Sequence, residues 1–266
     1  MTMPRVRALV HKEFLDLARN PTVLLPVVLV TIMTLVIAFG ITIALPAMTG
    51  EALGEDTDLL RLSTLIGASD ELSGSGHIQL FLFHQFLLLF LVIPITGAMA
   101  LAAHAVVGEK QARTLEPLLA TPITTLELLV AKVLGALIPT FAVSLIGLAL
   151  YVIGIALLAE PGVAGAMASA RTAVLMLVVA PAAALVSLQG AIVISSRVND
   201  ARTAQQFGVM IIIPLSALLI AQFVGRIWLS ASALALIGLG LFVGWLLLTA
   251  VSVVLFERES ILTRWR

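Results

Sequence analysis

The chain has 266 residues; 61% of them are hydrophobic, only 11% are charged, and the formal net charge is zero. Soluble domains carry roughly 25% charged residues, so this composition predicts a protein embedded in a lipid bilayer and excludes a soluble domain. The sequence contains no cysteine, which excludes disulfides, thiolate metal sites and a cysteine nucleophile.

Residues 1–22 are predicted to form an amphipathic helix that lies in the plane of the lipid headgroups. Its apolar residues follow helical spacing and form one stripe, made of Val6, Leu9, Val10, Phe14 and Leu17. Three basic residues lie broadly opposite this stripe: Arg5, Lys12 and Arg19. Glu13 falls near the centre of the stripe. Two interpretations remain open for it: a snorkelling or ion-paired carboxylate, or a contact with a cytoplasmic segment or a partner.

Six later segments are apolar enough to cross a bilayer, since hydrocarbon about 30 Å thick requires about 20 apolar residues. In chain order they are Val23–Leu45, Ile78–Ala103, Leu128–Leu158, Thr172–Ser195, Phe207–Val224 and Ser230–Phe256. The third is longer than one crossing requires, and the capping-box pattern from Thr124 to Glu127 predicts that its helix begins outside the bilayer. Prolines inside four spans predict kinks: Pro94, Pro139, Pro181 and Pro214. The expected fold class is an all-α membrane protein with six transmembrane helices.

The placement of lysine and arginine predicts the orientation of these spans. With the N-terminus in the cytoplasm, twelve of the 15 basic residues fall on the cytoplasmic side. The other three lie outside: Arg61, Arg171 and Arg226. Both termini are therefore expected in the cytoplasm. The first outer loop, residues 46–76, collects six acidic residues and is expected to be a solvated loop rather than a folded domain.

The chain carries none of the common nucleotide-binding or catalytic motifs. It lacks the phosphate loop GxxxxGK[ST] and has neither GxSxG nor HExxH, so no catalytic residue, metal site or bound cofactor is expected. No Asp, Glu, Lys or Arg falls squarely in the middle of the first, second, fourth or sixth span, which counts against ion-coupled transporters and intramembrane enzymes. The polar residues within spans are expected mostly to hydrogen-bond to neighbouring helices: Gln85, Thr140, Ser144, Ser187, Gln189 and Gln222.

A polar segment, residues 108–122, reads GEKQARTLEPLLATP and separates the second span from the third. It carries charges of both signs around apolar leucines. A helix of only two or three turns is not stable alone in water, so such a helix needs a surface on which to lie. The segment is therefore predicted to dock on another protein, with a plain solvated loop as the alternative.

Three segments of the chain resemble one family, the type-2 ABC transporter permeases, also called the ABC-2 exporter class. The run GEKQARTLEPLLATPITTLELLVAK, Gly108–Lys132, resembles the signature segment of that family. The run HKEFLDLARNP, residues 11–21, is similar to its amphipathic connecting helix, and SSRVNDARTAQQ, Ser195–Gln206, is similar to its second cytoplasmic loop. Together with the six spans, the resemblance covers almost the whole chain.

The resemblance implies that residues 1–266 form one permease domain, a non-catalytic subunit of an ATP-driven exporter. It implies a second permease copy and separate ABC ATPase subunits, which bind the ATP and magnesium. The cytoplasmic coupling segment, residues 104–127, would hold a coupling helix at about Glu109–Leu119 that sits in a cleft on the ATPase. The residues implied as polar contacts are Glu109, Lys110, Arg113 and Glu116, with Asn199, Asp200 and Arg202 as a second contact and Lys12, Glu13 and Phe14 on the interfacial helix.

The expected location is the inner (plasma) membrane of a prokaryote, with the lipid membrane as a partner and no nucleic acid. Two other functions remain open. The first is a membrane anchor or assembly subunit that binds a cytosolic ATPase but transports nothing itself. The second is a secondary transporter driven by an ion gradient. Substrate-dependent ATP hydrolysis in vesicles separates the exporter from the anchor, and efflux without nucleotide identifies the secondary transporter.

Overall fold

The computed structural model describes residues 3–50, 54, 56–64, 72–112, 123–198 and 200–255. Within these ranges every regular element is a helix. The helices are α1 (Met3–Arg19), α2 (Pro21–Thr49), α3 (Thr57–Ser63), α4 (Gly74–Gln111), α5 (Thr125–Leu158), α6 (Val163–Met167), α7 (Ala170–Arg197), α8 (Ala201–Phe223) and α9 (Ala231–Leu255). The predicted all-α class is confirmed.

Five of the described helices are long and apolar enough to cross a membrane: α2, α4, α5, α7 and α9. They correspond to the first, second, third, fourth and sixth predicted spans. The predicted fifth span, Phe207–Val224, falls on α8, whose membrane crossing stays a prediction. The protein is thus a multi-pass helical membrane protein, while the count of six spans is not established by these five helices.

The start of α5 follows the predicted capping box. The Glu127 N–H donates to the Thr124 hydroxyl at 3.2 Å, and the Thr124 N–H donates to the Glu127 carboxylate at 3.0 Å. From this cap the helix runs for 34 residues without a break. That length is about 50 Å, well beyond hydrocarbon about 30 Å thick. One end of α5 therefore has enough length to extend outside the bilayer.

Two of the span prolines disturb their helices. Pro94 has no N–H, so the Phe90 carbonyl accepts instead from Ile93 at 3.2 Å, and α4 has a break at residues 90–91. Before Pro181, α7 widens into a π-helical turn, Leu175–Val179. Such turns are a common response where a regular helical hydrogen bond is lost. Pro139 and Pro214 lie inside helical segments that continue through them.

The predicted outer loop, residues 46–76, contains more helix than the sequence indicated. Helix α2 extends to Thr49, and α3 occupies Thr57–Ser63. The Asp56 carboxylate begins α3 by accepting hydrogen bonds from the N–H groups of Asp58 and Leu59, both at 3.0 Å. Aspartate is a favoured residue at this position because it satisfies N–H groups that have no partner within the helix.

Helix α4 lies at the centre of the bundle. Most of its apolar surface is buried, whereas α2, α5 and α9 leave most of theirs exposed, as expected for helices that face lipid. Its most extensive contacts are with α7. Close packing of α2 on α5 depends on small residues, because a Cβ added to Gly147 would come within 2.5 Å of the Thr31 methyl group.

Candidate functional site

Four charged side chains from three helices meet at the end of the bundle where α4 and α7 finish and α5 begins, called here the charged end. Lys132 of α5 is only 1% exposed, and its Nζ lies 2.7 Å from Oε2 of Glu109 on α4. The same Nζ lies 3.3 Å from Oε1 of Glu13 on α1 and donates to the Ala105 carbonyl at 3.1 Å. Lys12 of α1 pairs with the other oxygen of Glu109. These four residues are called the charged cluster: Lys12, Glu13, Glu109 and Lys132.

Pairing is what makes this degree of burial possible. A buried charge that loses its partner costs several kcal/mol, and each charge of the cluster has an opposite charge within 4 Å. Partial burial by itself lowers the pKa of Lys12, but the nearby carboxylates, Glu109 foremost, outweigh burial and raise that pKa above its usual value. Lys12 therefore stays protonated throughout the physiological pH range.

The cluster fixes α1 on the side of the bundle. Val6 and Leu9 of α1 are buried against Ala131 near the start of α5. Further along, α1 lies so close to α5 that a Cβ added to Gly135 would come within 2.7 Å of the Glu13 Cβ. A cavity of ≈ 350 Å³ remains between α1, α4 and α5 beside the cluster. Helix α1 is thus held against the bundle by the apolar contact of Val6 and Leu9, by its close approach to Gly135, and by the ion pairs of the charged cluster.

Lys110 connects the end of α4 to the end of α7. Its Nζ donates to three backbone carbonyls, those of Ser195 at 2.8 Å, Ser196 at 2.9 Å and Val198 at 3.0 Å. The last carbonyls of a helix have no partner within the helix, and the helix dipole favours a cation there. Lys110 therefore caps α7 and fixes the end of α7, Ser195 to Val198, against the last turn of α4.

The residues predicted as partner contacts fall into three groups. Glu109 and Lys110 form the last turn of α4, and their side chains make the internal contacts described above. Asp200 begins α8 by accepting from the Thr203 N–H at 3.2 Å, and Phe14 is partly buried on α1. Arg113, Glu116 and Asn199 lie outside the described residues, as does most of the predicted coupling helix, Glu109–Leu119; of Arg202 only the helical backbone is described. As partner contacts, all of these residues stay predictions.

Lys132 is the member of the charged cluster that the sequence does not single out as a candidate site residue. It is the one charged residue between Leu128 and Leu158, and the sequence places it among the cytoplasmic charges and at the end of the family-like segment Gly108–Lys132. A lone lysine in an apolar helix is costly unless it is paired. The cost of an unpaired lysine therefore indicates from the sequence that Lys132 has a partner, but it does not identify which residues pair with it.

The polar residues within the spans form mostly local contacts. Three hydroxyls donate to the carbonyl four residues earlier in their own helix, namely those of Thr140, Ser144 and Ser187. This bonding within one turn competes with contacts between helices. Of the six residues expected to bond to neighbouring helices, Gln189 is the one for which the described structure shows such a bond, since its side-chain amide donates to Ser252 of α9 at 2.6 Å. Gln85 and Gln222 are buried without a hydrogen-bond partner in the described structure.

The fold and the charged end define a multi-pass helical membrane protein with a cluster of paired charges at one end of its bundle. A model of the ABC-2 family transporter proteins matches residues 7–235, which is most of the 266-residue chain. The chain belongs to this family. Permeases of the family are typically non-catalytic membrane subunits. No curated protein matches the chain.

Proposed function

We propose that the chain is the membrane-spanning permease subunit of an ATP-driven exporter, and that a separate ATPase binds at the charged end. The observation that carries this proposal is the convergence of α1, α4, α5 and α7 at the base of the polar segment. This base is the last turn of α4. There Glu109 forms ion pairs with α1 and α5, and Lys110 donates hydrogen bonds to the end of α7. A force applied to the polar segment is therefore transmitted to four helices at once.

Such a connection is what coupling requires. Two sites are coupled when both bias the same pair of conformations, and a rigid, ion-paired assembly transmits displacement better than a solvated loop. In this arrangement Glu109 and Lys110 hold the coupling helix in place. Arg113 and Glu116 provide the polar contacts to the ATPase, and Asn199, Asp200 and Arg202 provide a second contact.

The remaining parts of the assembly follow from the family. Two copies of the chain pair with two ATPase subunits, which bind ATP and magnesium. The protein lies in the inner membrane with both termini in the cytoplasm, so the charged end faces the ATPase. Lys12, Glu13 and Phe14 lie on a helix in the headgroup plane, where movement of α1 accompanies movement of the coupling helix.

The first test is a pull-down of the tagged chain from its native membrane in mild detergent, with mass spectrometry of the proteins recovered. We expect an ATPase with a phosphate loop and an ABC signature sequence, at near one-to-one stoichiometry. Charge reversal at Arg113 or Glu116 should reduce its recovery while leaving membrane insertion intact. Arg61→Glu is the matched control, since exposed Arg61 lies on α3, away from the charged end. Equal recovery from all three variants would contradict the assigned contacts.

The second test separates an exporter from an anchor. In reconstituted vesicles, an exporter should show ATP hydrolysis that responds to transported compounds and falls when Arg113 or Glu116 is reversed. A membrane anchor should bind the ATPase equally well but leave its hydrolysis unchanged by any compound. Efflux that follows an ion gradient without nucleotide would contradict both.

A further inference from the structure

At the opposite end of the bundle, a buried arginine lacks a negative partner. Arg171, in the first turn of α7, is 8% exposed. Its Nε donates to the Leu229 carbonyl at 3.0 Å, and the guanidinium carbon lies 4.0 Å from the centre of the Trp228 ring. Both terminal nitrogens, Nη1 and Nη2, are buried without a hydrogen-bond acceptor in the described part of the chain. No described carboxylate forms an ion pair with this side chain.

The positive charge of Arg171 is thus neither neutralised by a described carboxylate nor fully hydrogen-bonded within the described residues. Unsatisfied buried N–H groups are costly, and more so when they carry charge. The N-terminus of a helix adds a further positive potential at Arg171 instead of offsetting it. Stacking on tryptophan stabilises a cation, but it leaves the four N–H bonds of Nη1 and Nη2 without acceptors. Lys132 at the charged end, which is also buried, has two carboxylates within 3.3 Å.

We propose that Arg171 binds the anionic oxygens of a phosphate or carboxylate group at this end of the bundle. The two free nitrogens of a guanidinium form a planar fork that matches two oxygens of such a group. Trp228 beside it is typical of residues at the level of lipid headgroups. The anion is therefore either the headgroup of an anionic lipid or a soluble anion from the adjacent water.

The segment between α8 and α9 covers the site. Trp228 and Leu229 contact the Arg171 side chain, so movement of this segment would open the guanidinium to a ligand. Gly225 has a φ of 70°, a backbone conformation that glycine adopts without strain, and the four residues 227–230 have no regular secondary structure. Arg226 on the same segment is exposed and supplies a second positive charge to an approaching anion.

A purely structural role is the alternative. In that case Arg171 only anchors the α8–α9 connection through Nε and the tryptophan ring, and no anion binds. The two roles differ in one measurable respect: displacement of Trp228 by an anion changes the surroundings of its indole ring, and a structural anchor gives no such response.

The test uses the full chain in lipid nanodiscs, with Trp245→Phe and Trp265→Phe substitutions that leave Trp228 as the one fluorescent tryptophan. Two series are measured at constant ionic strength. In the first, the fraction of phosphatidylglycerol in phosphatidylcholine discs is raised; in the second, inorganic phosphate or acetate is added to discs of phosphatidylcholine alone. We expect a saturable change in Trp228 emission in at least one series. A response in the first identifies a lipid headgroup as the anion, and a response in the second identifies a soluble anion.

Three variants make the result specific. Arg171→Gln should weaken the response at least about tenfold, since each charged hydrogen bond lost is worth about one factor of ten. Arg226→Gln should weaken it only a few-fold, and Arg61→Gln should leave it unchanged. An equal response in Arg171→Gln, or no saturable response in either series, would overturn the proposal. The ATPase is absent from this experiment, so its outcome is independent of the proposed exporter function.

Discussion

The two ends of the bundle bury positive charge in opposite ways. At the charged end, Lys132 has carboxylates from α1 and α4 within 3.3 Å, and Lys110 bonds to three carbonyls of α7. At the opposite end, Arg171 contacts one carbonyl and one aromatic ring, and two of its nitrogens have no acceptor among the residues that the structure describes. A satisfied cation joins elements of the structure, whereas an unsatisfied one is suited to receive a ligand. We expect the first end to transmit force and the second to bind an anion.

The largest effect should come from Lys132→Met. This change leaves Glu109 and Glu13 with fewer positive partners in a buried position, and breaking a buried pair from one side costs about 3–5 kcal/mol. Reversible unfolding in detergent, followed by circular dichroism, measures that loss. Adding Glu109→Gln to the same chain should recover part of the lost stability, because the cluster then again holds equal numbers of positive and negative charges, Lys12 and Glu13. Unchanged stability of the single variant would contradict the charged cluster.

A smaller effect should follow from Gly135→Ala. The added methyl group meets the Glu13 Cβ within 2.7 Å, and overpacking of this kind typically costs about 1–3 kcal/mol. Helix α1 should move away from α5, which faster hydrogen exchange in α1 would reveal. Gly240→Ala is the matched control, since no described atom beyond its chain neighbours and the nearby backbone of its own helix lies within 4 Å of its added Cβ. The control should be neutral or slightly stabilising, because alanine favours a helix more than glycine does.

Lys110→Met should produce a local effect of about 1–2 kcal/mol, the value of the hydrogen bonds lost at the end of α7. Hydrogen exchange should accelerate in the last turn of α7 and at the start of α8 while the rest of the bundle is unchanged. Lys110→Arg keeps the charge and the donors, so it should retain most of the protection. If the two variants behave alike, the carbonyl contacts do not hold the α7 end.

The smallest effect on stability should come from Arg171→Gln, measured in detergent without anionic lipid. The variant loses one hydrogen bond and the tryptophan contact, which lowers stability. It also removes an unpaired buried charge, which raises stability. These opposite contributions to the free energy of unfolding should cancel to within about 1 kcal/mol. Thermal unfolding of Arg171→Gln and of Lys132→Met under the same conditions compares the two losses of stability directly. A loss as large as that of Lys132→Met would show that Arg171 is structurally paired and would contradict an unpaired buried guanidinium.

Local patterns predicted much of this fold from the sequence. The apolar runs placed five helices that are able to cross a membrane, and the capping box at Thr124 and Glu127 formed as expected because it depends only on residues three apart. The sequence does not predict helix α3, because its cap, Asp56, lies among acidic residues that are typical of a solvated loop.

The candidate site was harder to predict because its contacts join distant parts of the chain. Glu109 and Lys132 are 23 positions apart, and Glu13 and Lys132 are 119 apart. Which of the many charged residues pair is decided by how α1, α4 and α5 pack, and composition does not contain that information. The same limit applies to Lys110, whose acceptors are backbone carbonyls and so leave no mark in the sequence.

The most direct test of the coupling proposal places a photo-crosslinking amino acid at single positions of the chain in native membranes. Positions 113 and 116 lie in the polar segment that the charged cluster is proposed to hold against the ATPase, and position 61 is the control on α3. We expect crosslinks to an ABC ATPase from positions 113 and 116 and none from position 61, with identification by mass spectrometry. Crosslinks to the ATPase from position 61, or none from positions 113 and 116, would contradict the proposal that the charged end couples the permease to ATP hydrolysis.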